Sequence, residues 1–248
     1  MESQDRAGMP LRDYPGRSVW TTWTISYYAI RAKSIAAANL LLFWACLDNK
    51  DLWYGLLAEA KIRSTVVADY LSEWLPNIAN DEVEFIATMQ LLRSYSLVEG
   101  LQDLAGYATH PVVHRWAFHI QDEKQRAVFT WLAVVVVGWA VPKILEEYSG
   151  MQRRLLAHAQ RCNQWVIRCV SDTRAISEGA NASRANVKQD YVMLGAIHGL
   201  GILYADQGKL GEAEKMCQRA LEGAEKALGP DHISTLITVY NLGNIYKS

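Results

Sequence analysis

Cysteine is sparse: four in 248 residues, at Cys46, Cys162, Cys169 and Cys217, far apart or seven apart and never as a C-x-x-C pair. That spacing excludes a zinc knuckle or dithiol redox centre, and it fits a reducing, cytoplasmic setting without a disulfide framework. Net charge is equally scarce, because 25 Lys and Arg stand against 26 Asp and Glu. Bulk electrostatics therefore give no hold on nucleic acid or an anionic membrane. No G-x-x-x-x-G-K-[ST] string occurs. The nearest, Gly201 to Gly208-Lys209, encloses six residues and has Leu210 where a hydroxyl is required, so no phosphate-cradling loop is expected. No Ser/His/Asp, Cys/His or paired-carboxylate set stands out of the helical background. We therefore expect no catalytic residue, no metal and no cofactor, and read the chain as not an enzyme. The opening Met1 to Tyr14 is polar and charged, unlike a signal peptide.

Long apolar runs are nearly missing too. Ala127 to Val141 is 15 residues without a charge and ends at Pro142. A spanning helix needs about 20 residues, so this one is expected to be buried in protein instead. Half the residues are apolar, enough for a substantial core in one or two domains.

In chain order, residues 1–17 carry two prolines and two glycines and read as an extended or disordered lead-in. Ser26 is expected to cap a short helix through Lys33. Buried helical pieces follow at Ala36 to Cys46, Leu52 to Ala60 and Val66 to Leu75. Asp81-x-x-Glu84 opens a helix that places Phe85, Met89 and Leu92 on one face. Ser96 to Glu99 and Tyr107 to Thr109 then read as a small hairpin. A helix starts at His110-Pro111, with proline in its first turn. The fold class is mainly α: a helical winged-helix module with a β-hairpin over 18–142, a connecting helix and flexible link over 143–189, and helical-hairpin repeats over 190–248.

The repeats are the clearest signal. Leu200-Gly201-Ile202-Leu203-Tyr204 returns as Leu242-Gly243-Asn244-Ile245-Tyr246, and Leu194 and Ile197 return as Leu236 and Val239, always 42 positions later. Gly208 marks a turn between the copies, and Ala213 and Ala220 follow seven apart. Two antiparallel helices fit this pattern, with small residues at the close approach and Leu200 and Tyr204 filling the seam. The unit resembles the tetratricopeptide repeat, in the 42-residue variety of kinesin light chains and many fungal receptors. The connector Leu228-Gly229-Pro230-Asp231-His232 belongs to that variety. The chain ends inside the second unit, where a partner or further repeats are expected to cover it.

Thr21-Thr22-Trp23-Thr24-Ile25-Ser26, Phe43-Trp44-Ala45-Cys46-Leu47-Asp48-Asn49, Asp51-Leu52-Trp53-Tyr54 and Tyr107 to Trp116 resemble the winged-helix part of fungal NB-ARC proteins. These are NOD-like receptors of the STAND class of signal-transducing NTPases. The resemblance implies a non-catalytic, regulatory interaction segment without the nucleotide-binding core. An intact receptor of the same family is an implied partner. It further implies that His110, in Thr109-His110-Pro111, occupies a vestigial nucleotide-sensor position. Only the histidine of the family's Met-His-Asp motif is kept, and the ordinary alternative is a helix-start histidine. His114 would share its helix face, but two histidines without a third ligand make a poor metal site. The resemblance also implies that Asn241, before Leu242-Gly243, contacts a bound peptide, a role the earlier copy's Gly199 cannot fill.

Three other readings compete with this one. A DNA-binding winged helix is opposed by Glu82 and Glu84 on the helix that would enter the groove. A kinesin-light-chain-like cargo adaptor would hold acidic peptides. An enzyme lacks a constellation. Finally, Arg154, Arg161 and Arg168 recur every seven residues and form a basic stripe. It is expected to face solvent or the acids of the following repeats. Other proteins or peptides are the expected partners, without nucleic acid or membrane.

Overall fold

The computed structural model describes residues 14–102, 105–142, 148–177 and 184–247. Eleven helices and one two-stranded sheet are present among them: α1 (Tyr14–Lys33), α2 (Ile35–Trp44), α3 (Tyr54–Arg63), α4 (Thr65–Trp74), α5 (Glu82–Ser94), β1 (Glu99–Gly100), β2 (Tyr107–Ala108), α6 (Pro111–His119), α7 (Glu123–Ala140), α8 (Tyr148–Ser177), α9 (Arg184–Asp206), α10 (Leu210–Leu228) and α11 (Ile233–Ile245). The chain is mainly α, as expected.

Cap chemistry explains several helix starts. Ser34 accepts from the Ala37 N–H at 3.1 Å, Ser64 from Val67 at 3.3 Å and Asp81 from Val83 at 2.8 Å. Asp122 and Gln125 form a reciprocal capping box ahead of α7. Two expectations need correction here. Ser26 caps nothing, because α1 runs straight through it and the break falls at Ser34. The expected lead-in is already helical from Tyr14, with Pro15 tolerated in the first turn; residues 1–13 lie outside the described ones.

α2 and α7 hold the molecule together. Every side chain from Leu40 to Leu47 is buried, and Val134, Val135, Val136 and Val137 are each 0% exposed. A helix apolar all round must be surrounded, and α7 packs against α2, α3, α4, α8 and α9. The apolar run is thus a central core helix, and among the described residues no helix is long and apolar enough to cross a membrane. One buried cluster extends from Tyr27 to Ile245.

The hairpin pairs Glu99 with Ala108 and Gly100 with Tyr107. It is shorter than the sequence suggests, but Leu52 adds an isolated antiparallel bridge to Tyr107. Asn49 accepts from the Thr109 N–H through its backbone, and its amide donates to the Thr109 carbonyl, both at 2.9 Å. The loop after α2 is thereby stitched to the hairpin.

Helix α8 clamps that same loop. Arg154 Nε donates to Asp51 Oδ2 at 2.7 Å, NH2 reaches the other oxygen, and the guanidinium lies 4.1 Å from the Trp53 ring centre. His158 spans the loop: Nδ1 accepts from the Asp48 N–H and Nε2 meets the Asp51 carbonyl, each at 3.2 Å. Trp165 Nε1 donates to the Cys46 carbonyl at 2.7 Å. Asp51 holds a left-handed φ of 56°, a conformation that costs a non-glycine residue energy and needs such fixing.

The basic stripe therefore corrects the expectation. Arg154 neither faces solvent nor reaches forward to the repeats; its acid is Asp51, far back in the chain. Arg161 lies against Phe118 and Trp165, 6.0 and 5.1 Å from their ring centres. The side chain of Arg168 lies outside the described residues. Ser171 to Lys188, small and polar and readable as either a flexible link or a frayed helix, is helical at both ends, with α8 reaching Ser177 and α9 starting at Arg184; residues 178–183 are outside the description.

Candidate functional site

The first repeat copy is fully assembled. Leu200, Gly201, Tyr204, Ala213 and Ala220 are all buried between α9 and α10. A methyl group on Gly201 would stand 2.7 Å from Cys217 Sγ, so glycine sets the helix separation there. Tyr204 donates to Asn163 Oδ1 on α8 at 3.0 Å, and burial pushes its hydroxyl well above the usual tyrosine range. Burial also lifts the Cys217 thiol to about 11. Gly208 turns the chain with φ +69°.

The second copy is more exposed. Leu242 is half-buried, Gly243 is exposed, and Tyr246 is 62% exposed. Tyr246 does not fill a seam as Tyr204 does. Its hydroxyl donates to Glu214 at 2.6 Å and accepts from Gln218 at 3.2 Å, both on α10. Leu236, Ile237, Val239 and Tyr240 are likewise exposed.

A cavity of about 430 Å³ opens where α7, α9, α10 and α11 meet. Trp139, Leu194, Ile202, Leu228 and Ile237 supply apolar walls, and His198, Thr238 and Asn241 supply the polar atoms. Its floor depends on a close helix crossing: a methyl group on Gly138 or on Gly199 would collide with the backbone of the other helix. Trp139 Nε1 donates to the Val192 carbonyl at 2.9 Å and fixes the same crossing. Gly199, which the repeat pattern aligns with Asn241, is therefore a packing residue, because any side chain there would lift α9 off α7. A second cavity of about 410 Å³, lined by Gly201, Asp206, Leu210 and Asn244, continues along α9 and α11. Ile202 and Asn241 border both.

Asn241 thus stands in the middle of a groove, half-buried. Its Nδ2 donates to His198 Nε2 at 2.9 Å, which puts the imidazole proton on Nδ1, 3.5 Å from Thr238 Oγ1. One amide N–H is thereby used, and the side-chain oxygen and the second N–H are what Asn241 offers a ligand. His198 was not singled out from the sequence. Its contact joins two successive first helices, and no spacing within one repeat announces it.

His110 and His114 have separate roles. His110 is exposed and caps α6, Nδ1 accepting from the Val112 N–H at 3.3 Å. His114 is buried, with Nε2 at 3.1 and 3.0 Å from the Trp44 and Leu47 carbonyls. Burial, with Arg161 nearby, lowers its pKa. Among the described residues no group of three His, Cys, Asp or Glu side chains is placed to hold a metal ion.

Residues 193–248 match the tetratricopeptide repeat family. The matched stretch takes in the later part of α9 together with α10 and α11. These are tetratricopeptide-type repeats, a helical-hairpin module associated with protein–protein interaction and generally non-catalytic. Comparison with curated proteins and with solved structures gave no match. Within the tetratricopeptide region, the groove centred on Asn241 is the candidate site.

Proposed function

We propose that the chain is a non-catalytic interaction and regulatory segment of a STAND-class, NOD-like receptor, which holds partner proteins or peptides through its tetratricopeptide repeats. The observation that carries the binding part is the groove between α9 and α11, whose walls come from successive repeats and whose centre is a hydrogen-bonding asparagine. Stacked helical hairpins generate such concave surfaces and use them for extended ligands. The receptor part is supported by order: a helical module with a two-stranded hairpin, then the clamp helix α8, then the repeats. The helix–hairpin–helix order of α5, β1, β2 and α6 suits a winged-helix reading, and His110 at the start of α6 suits a vestigial sensor position.

Two measurements test these parts separately. An array of 12-residue peptides probed with the chain is expected to yield ligands whose binding weakens at least fivefold in Asn241→Ala and is unchanged in Lys215→Ala on the far side of α10. Absence of any ligand would remove the groove reading. The receptor context is tested by mixing the chain with an ADP-loaded NB-ARC nucleotide core of the receptor class. Association that weakens in His110→Ala is expected. No association would discard that context and leave the repeats intact.

A further inference from the structure

We propose that the groove takes a short uncharged peptide segment with bulky apolar side chains, and rejects acidic ones. This rests on the groove being a peptide site, as proposed above, and names the chemistry of what enters it.

Charge is what decides. Among the described residues, none lining the larger cavity is Asp, Glu, Lys or Arg. In the smaller cavity the one charged residue among the described lining is Asp206, whose Oδ2 already accepts from Gln152 Nε2 at 2.9 Å. Helix α11 carries no charged residue from Ile233 to Ile245, and α9 has none from Tyr191 to Ala205. A carboxylate entering this groove would lose water, meet no cation among the described lining residues and approach a fixed carboxylate at one end. An ammonium would find no carboxylate among the described residues of the larger cavity.

The remaining features favour an apolar segment. Trp139, Leu194 and Ile237 give side-chain anchors a place to bury, and the cavity falls in the roughly 300–1,000 Å³ range of ligand pockets. Asn241, held by His198, offers its side-chain oxygen to a peptide N–H. The stretch of α9 from Tyr191 to Asp206 spans roughly 22 Å at 1.5 Å per residue, which an extended chain covers with about seven residues.

The test uses fluorescein-labelled 12-residue peptides, Leu and Phe at alternate positions in a Ser/Asn background, and the same peptides with two Ser replaced by Asp. Binding to the full chain is read by anisotropy at low and high salt. The neutral peptides are expected to bind with little salt dependence, and the Asp versions at least tenfold more weakly. Ile237 is half exposed, so Ile237→Lys should fold normally, weaken the neutral peptides and strengthen the acidic ones. Asn241→Ala should weaken both sets alike. Acidic peptides binding as tightly as neutral ones, or Ile237→Lys leaving the ratio unchanged, would overturn the inference while leaving a peptide site in place. If neither set binds, the inference falls; failure of the whole 12-residue array would take the groove reading with it.

Discussion

Gly201 and Gly243 occupy the same place in two successive repeats and have opposite surroundings. A methyl group on Gly201 meets Cys217 Sγ at 2.7 Å, whereas one on Gly243 meets nothing within 4 Å. The same substitution should therefore change sign between them. Gly201→Ala overpacks the α9–α10 seam, an effect of about 1–3 kcal/mol, only partly offset by the roughly 0.5–1 kcal/mol that alanine contributes in a helix. Gly243→Ala has the second effect without the first. Urea midpoints should fall for Gly201→Ala and rise for Gly243→Ala. Equal shifts would mean that α11's open face is covered.

A pH dependence follows from two buried histidines. Burial lowers the pKa of His158 and, with Arg161 contributing, that of His114. The folded state therefore resists protonation that the unfolded chain accepts near pH 6.5. Stability is fully present above that pH and is lost as pH falls through 6.5, until the lowered folded pKa is reached. The loss is at most about 1.4 kcal/mol per pH unit for each histidine. Denaturant titrations at pH 7.5 and 5.5 should show it, and His158→Gln should flatten the slope. A slope of the opposite sign would rule out buried neutral imidazoles.

How much of this was legible follows from the range over which each signal acts. Leu200, Gly201, Tyr204, Ala213 and Ala220 were readable because repetition at fixed spacing is a local property, and α9, α10 and α11 fall on it. Pro111 marked α6, and the uncharged run ending at Pro142 marked α7, again from neighbours in sequence. Ser26 and Ser34 are both plausible caps by composition; only the packing of α1 chose between them. Arg154 finding Asp51, and His198 finding Asn241, join residues 103 and 43 positions apart. Those pairings come from tertiary geometry. Spacing within α8 revealed that Arg154 shares a face with Arg161, but not what the face meets.

The Asp51–Arg154 pair should behave as a clamp. It is bidentate, the side chains are 16% and 21% exposed, and Asp51 is held at φ 56°. Partial exposure discounts the pair below a fully buried one, to about 1–2 kcal/mol on removal of either partner. Asp51→Asn tolerates the left-handed backbone but lacks the charge, so its loss reports the ion pair. A double-mutant cycle of Asp51→Asn with Arg154→Met should give coupling of about 0.5–2 kcal/mol. The same variants should speed hydrogen exchange at the Leu52 and Tyr107 amides, which bond across the bridge at 2.9 Å. Additive effects without faster exchange would show that α8 does not hold the loop.

Helix α7 provides the last test, because its four consecutive valines separate a surrounded helix from an amphipathic one. On an amphipathic helix, truncation is costly only at the positions that face the core. Here Val134, Val135, Val136 and Val137 are all 0% exposed, with α3, α8 and α9 packed around the helix. Each Val→Ala change removes buried methyl groups and leaves a void, at a cost of about 1–2.5 kcal/mol. All four single variants should therefore lower the unfolding midpoint by similar amounts. If two of the four were neutral, α7 would have a solvent face, and the crossing with α9 that floors the groove would have to be redrawn.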